Sequence, residues 1–148
     1  MAGSDLAKEL QGLQADNIVL MLVPPRTSFR ARMDETRLPT ASCVYELRPG
    51  PSFGEVIETL GSLVTQYDRP KPDLWHAPDL RVGIIFKRNR TVLREFYFDD
   101  FGGAPDVRGF SSGYELSAKA DLPERLRVIA MHQDVRLVPD TQPRCPHA

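Results

Sequence analysis

A long apolar run is missing. The longest, Ile18 to Val23, stops at Pro24-Pro25, far short of the roughly 18 residues a membrane span needs. A basic excess is missing too. Lysine and arginine number 19 against 20 acids, a formal net charge of −1. A nucleic-acid binder would concentrate positive charge on one face, so neither nucleic acid nor membrane is an expected partner. Met1 to Lys8 lacks the basic and apolar regions of a secretion signal. The expected location is the cytoplasm, or the periplasm if such a signal has been removed. Cysteine is scarce: Cys43 and Cys145 are the two. Their spacing does not decide between a bridge and two free thiols, and free thiols are the expectation.

What is present fits one ordinary domain. A chain of 148 residues can bury a core without metals or disulfides. Its 41% hydrophobic and 26% charged residues exclude wholesale disorder. Arginine outnumbers lysine 15 to 4. The arginines are scattered, which reads as the codon usage of a GC-rich bacterial genome before it reads as bidentate anion recognition.

The periodicities predict an order of α-β-β-β-α-β-β-β-α-β. A first helix, capped by Ser4 or Asp5, carries Leu6, Leu10 and Leu13. Ile18 to Val23 reads as a buried strand. Thr27 to Arg32 and Thr40 to Leu47 read as two strands around a polar turn. After Pro49-Gly50-Pro51, Ser52 and Glu55 form the pattern of a capping box. Phe53, Val56, Ile57, Leu60, Leu63, Val64 and Tyr67 continue at helical spacing. Asp68 to Asp79 is a proline-rich crossing. Leu80 to Phe98 alternates as a hairpin turning near Arg88-Asn89-Arg90, with its register open. Asp99 to Gly113 reads as an exposed loop and Tyr114 to Ala120 as a strand. Asp121 and Glu124 offer a second cap pair for a helix to about His132. Val135 to Val138 is a last short strand, and a proline-rich tail begins near residue 139. Hairpins outnumber helix crossovers. The expected fold is therefore a single α+β domain, residues 1–148: a mainly antiparallel sheet with two or three helices packed on one face.

No cluster forces a reaction. Asp100-Phe101-Gly102 copies the three-letter magnesium motif of kinases, but no Gly-rich loop or His-Arg-Asp loop accompanies it. Asp99, Asp100 and Asp106 do not follow the EF-hand alternation. His76, His132, His147 and Cys145 show no paired ligand spacing. Gly109 to Gly113 is not a nucleophile elbow, and no carboxylate pair stands out. No catalytic residue, metal or cofactor is expected, and the balance falls against an enzyme. The remaining signal is aromatics, arginines and acids in or beside the two long connections. Trp75, His76, Tyr97, Asp99, Asp100, Phe101, Asp106, Arg108 and Phe110 are the expected contact residues for another protein.

The hairpin Leu80 to Phe98, its Asp-Asp-Phe-Gly-Gly exit and the strand and amphipathic helix after it resemble small bacterial toxin-immunity proteins. The resemblance covers about half the chain and rests on pattern and size, so no residue role carries over. It implies a non-enzymatic binder that occludes a cognate toxin. Two alternatives stand beside it: a small enzyme or ligand-binding protein with a pocket between sheet and helix, and a structural subunit of a larger assembly.

Overall fold

The computed structural model describes every residue except 1, 26, 72, 74–77, 101–104, 139–144 and 147–148, and no side chain of 2–4. Its elements run α1 (Ala2–Gly12), β1 (Asn17–Leu22), α2 (Leu38–Ala41), β2 (Cys43–Leu47), α3 (Pro51–Leu63), β3 (Val64–Pro70), β4 (Val82–Arg88), β5 (Thr91–Phe98), β6 (Asp106–Ser111), β7 (Tyr114–Lys119), α4 (Leu122–Ala130) and β8 (Val135–Leu137). The eight strands form one sheet in the order β3-β7-β6-β5-β4-β1-β2-β8. Every pairing is antiparallel. The fold is α+β, as the hairpin-rich pattern implies.

The strand alternation sorts side chains onto two faces. Ile18, Leu20, Leu22, Tyr45, Ile84, Phe86, Phe96 and Phe98 turn to one face, where Leu6 and Leu10 of α1, Val56 and Leu60 of α3, and Leu126 and Ile129 of α4 cover them. Phe86 and Phe96 meet edge-on at 6.0 Å. Met21, Val23, Ile85, Tyr97 and Phe110 turn to the opposite face. Met33, Leu38 and Leu80 complete a second core there. The three longer helices thus share one face, and α2 with its flanking coil covers part of the other.

Several boundaries depart from the periodicity. Thr27 to Arg32 is coil rather than strand, because its Phe29 packs down on the second core instead of joining the sheet. Residues 38–41 are helical before β2 begins at Cys43. Helix α3 ends at Leu63, and Val64 to Pro70 continues as an edge strand pairing Val64 with Ala118. The apolar residues Val64 and Tyr67 fit either period, and pairing with β7 selects the strand. Residues 106–111, expected in a loop, form β6 between β5 and β7. Short strands with a glycine inside carry little periodic signal. The two hairpin turns follow local chemistry. Asn89 takes φ 56°, and Ser112 and Gly113 take 52° and 81°, the left-handed pair that closes a two-residue hairpin. The open register of the first hairpin resolves as Val82↔Phe98 and Ile84↔Phe96.

The cysteines also differ from expectation. Cys43 and Cys145 form a disulfide, 102 positions apart in sequence. Both are buried, and Tyr45 donates its hydroxyl to the Pro146 carbonyl at 2.6 Å. The bridge therefore anchors residues 145–146 beside β2.

The capping box does not form. The Ser52 amide and hydroxyl both donate to Asp134, at 3.0 and 2.5 Å. A carboxylate from the α4–β8 connection caps α3 in place of Glu55. Likewise Asp121 makes no side-chain cap on α4. It lies 4.0 Å from Arg125 instead.

Candidate contact groove

Just past β1, Pro24 and Pro25 cannot donate to a neighbouring strand, and they line a pocket together with residues of β2 and α4. Helix α4 buries Leu122, Leu126, Ile129 and Ala130. It leaves Val128 and Met131 toward solvent, 54% and 41% exposed. The gap between β1–β2 and α4 is an apolar pocket of about 240 Å³. Leu22, Pro24, Tyr45, Val128, Met131 and Pro146 are among its walls. Cys43 also lines it, so the bridge that seats Pro146 helps build this wall.

A larger cleft of about 600 Å³ adjoins it, sharing Val23, Pro24, Pro25 and Arg127. Its charged walls are Asp79, Arg81, Asp100 and Arg127. Arg81 grips Asp79 with both terminal nitrogens, at 2.8 and 3.0 Å. It also donates to the Leu80 carbonyl at 2.9 Å and lies 4.7 Å over the Phe29 ring. Burial by itself would raise the Asp79 carboxyl. The hydrogen bonds from Arg81 and the Met33 amide, with the charges of Arg81 and Arg32, outweigh it and hold that carboxyl below its ordinary range. Arg127 at the junction donates to Asp100 and, at 3.3 Å, to Glu124. Its Nε is buried with no hydrogen-bond partner among the described residues. A planar guanidinium facing two carboxylates is held in one orientation, so the rim of the groove is preorganised.

The residues expected to meet a partner fall into three groups. Trp75, His76 and Phe101 lie outside the described residues. Asp100 lines the cleft, and Asp106 and Arg108 are exposed on β6. Tyr97, Asp99 and Phe110 are buried, at 7%, 4% and 8% exposure, which corrects their reading as surface contacts. Tyr97 and Phe110 pack at 5.4 Å, and the Tyr97 hydroxyl donates to Glu95 at 2.8 Å. Burial first, then Glu95, raises the Tyr97 phenol above its usual value. Asp99 ties β5 to β6: its amide donates to the Arg108 carbonyl and its Oδ1 accepts the Arg108 amide, at 2.8 and 2.9 Å. Burial raises its carboxyl despite that bond. Tyr97 and Phe110 belong to the second core.

Sequence reasoning missed Pro24, Pro25, Arg81, Arg127, Val128 and Met131. One signal was available. Val128 and Met131 sit off the stripe of Leu122, Leu126, Ile129 and Ala130, apolar residues with no core position to fill.

A second cluster carries the residue types of a hydrolase. The Ser52 hydroxyl lies 3.0 Å from His132 Nδ1 and 2.5 Å from Asp134 Oδ1, and Glu55 is 3.5 Å from the same nitrogen. In a serine nucleophile the histidine takes the hydroxyl proton. Here the single hydroxyl proton is directed at Asp134, which leaves His132 to donate, and Ser52 is only 1% exposed. The cluster caps a helix. Among the described residues, no group of three or more His, Cys, Asp or Glu is placed to hold a metal, and no helix is long and apolar enough to cross a membrane.

Comparison of the chain with family models, with characterised proteins and with solved structures gives no match.

Proposed function

We propose that the chain is a protein-binding module and that the groove between α4 and the Pro24-Pro25 corner is its contact surface. The observation that carries this reading is the exposure of Val128 and Met131 over an apolar pocket whose far rim is a set of fixed ion pairs. Apolar centre with polar rim is the usual anatomy of a protein interface. A pocket between sheet and helix is also what a small-ligand protein would have. The apolar lobe alone, at about 240 Å³, falls below the roughly 300–1,000 Å³ of typical ligand sites, while the adjoining cleft of about 600 Å³ falls within that range but has paired charges in its walls. The lobe suits one inserted side chain better than a whole ligand.

The finer reading, an immunity or inhibitor protein that covers a toxin's active site, rests on the resemblance of the segment after Leu80. Size-exclusion chromatography with the product of the neighbouring gene tests it, and separate elution overturns it. The bridge bears on location. Disulfides persist in oxidising compartments, which favours the periplasmic alternative over the cytoplasmic one.

The groove itself is tested in cells with a photocrosslinking amino acid at position 128 and, as control, at 92, where Val92 is 48% exposed on β5. A discrete crosslinked protein at 128 and none at 92 is expected. Equal labelling, or none at 128, refutes the assignment.

A further inference from the structure

Independently of the groove, we propose that Asn89 is an acceptor of asparagine-linked sugar. The chain reads Asn89-Arg90-Thr91: an asparagine, a residue other than proline, and a hydroxyl two places on. That triplet is the acceptor pattern for N-glycosylation, a bulky modification carried on the surface of exported chains. Three letters alone are a weak signal. Their place in the fold and the disulfide add to it.

Arg88 pairs with Thr91, so Asn89 and Arg90 form the tip of the β4–β5 hairpin. Residues 88 to 92 are all exposed. Asn89 takes φ 56°, a left-handed position that asparagine tolerates better than most residues. Its backbone amide donates to both oxygens of Asp16, at 3.1 and 3.0 Å. The backbone of the tip is tied down while the residue itself faces water, so an attached sugar displaces no core and breaks no strand pair. The tip also lies away from the groove. Strand β4 begins at Val82, which pairs with Leu22 of the groove wall, and ends at Arg88. At about 3.3 Å per residue, the strand puts about 20 Å between the two ends. A glycan on Asn89 therefore leaves the groove open.

Compartment is the second observation. Asparagine receives its sugar outside the cytoplasm, and disulfides persist in the same oxidising spaces. The Cys43–Cys145 bridge suits the chain to such a space. The donor is an oligosaccharide linked to a lipid through pyrophosphate. The Asn89 Nδ2 bonds to C1 of its first sugar, the bond from C1 to the pyrophosphate oxygen breaks, Nδ2 gives up one proton, and the lipid pyrophosphate leaves. Nothing is oxidised or reduced.

The test is mass spectrometry of the peptide carrying Asn89, taken from the full chain isolated from its own cells. Sugar attached to Asn89 is expected. Asn89→Gln and Thr91→Ala should each abolish it, and Thr91→Ser, which keeps the hydroxyl, should retain it. Thr91→Ala leaves the left-handed position untouched, so it holds the test if Asn89→Gln disturbs the turn. A bare Asn89 in the isolated protein overturns the proposal, and so does sugar that survives Thr91→Ala. The crosslinking at 128 is read separately, so either reading can fail while the other stands.

Discussion

Breaking the Cys43–Cys145 bridge should lower stability by roughly 3–5 kcal/mol. The magnitude follows from where the cysteines lie. They are 102 positions apart, and in the chain-entropy account a loop of that length adds about 4.7 kcal/mol at 25 °C by restricting the unfolded chain. Reduction does not empty the site, because both thiols stay buried. The Tyr45–Pro146 hydrogen bond still holds the end of the chain and retains about 1 kcal/mol. In a domain of this size each kcal/mol moves the melting midpoint by about 3 °C, so a fall of about 10–15 °C is expected. The measurement is urea unfolding of oxidised protein, of protein held in reductant, and of the Cys43→Ala/Cys145→Ala variant. Thiol alkylation before unfolding checks that the oxidised sample has no free cysteine. Oxidised and reduced forms unfolding within about 0.5 kcal/mol of each other would refute the reasoning, since no restraint on the unfolded chain would then exist.

Gly109→Ala should cost at least about 2 kcal/mol in urea unfolding. An added Cβ would run into the Tyr97 carbonyl and sit 2.6 Å from a Phe98 ring carbon, and Gly109 belongs to one of the two register pairs, Tyr97↔Phe110 and Phe98↔Gly109, that align β5 with β6. Asp99→Asn should raise stability at neutral pH. A carboxyl whose folded pKa is raised binds its proton more tightly when folded, so the wild type loses stability as pH climbs from about 4 through the raised value. The variant's stability should be flat across that window, and an unchanged pH slope would contradict the assignment. Asp134 has the opposite sign. Its carboxyl is held low by the Ser52 hydroxyl and then the Ser52 amide, so its contribution is full above about pH 4 and disappears as pH falls through the folded value. Ser52→Ala should therefore move the acid-unfolding midpoint upward, read by circular dichroism, and an unmoved midpoint would deny Asp134 its role as the cap of α3.

The strong periodic segments were legible from composition and spacing. Leu80 to Phe98 reads as a hairpin because alternation over two strands has few other solutions, and Asn89 marks its turn. The helix after Pro51 reads from Val56, Ile57 and Leu60. The class of fold follows from these. The weak segments were not legible. Val64 to Pro70 satisfies two periods, and only the β7 edge makes it a strand. Residues 106–111 look like loop until β5 and β7 stand on either side.

The groove proposed as a contact surface belongs almost entirely to tertiary structure. Local sequence shows that Pro24-Pro25 ends a strand and that Val128 and Met131 lie off the buried stripe of their helix. It does not show that these residues share a cavity, that Arg127 reaches Asp100, or that Cys145 lies against Cys43. Those pairs are separated by 27 and 102 positions. Backbone propensity and hydrophobic period act over a few residues, so sequence alone determined the longer helices, their buried faces and the strands with a clear alternation. Contacts between distant segments arise only when the chain has packed, and packing decided the bridge, the cap on α3 and the groove proposed as a contact surface.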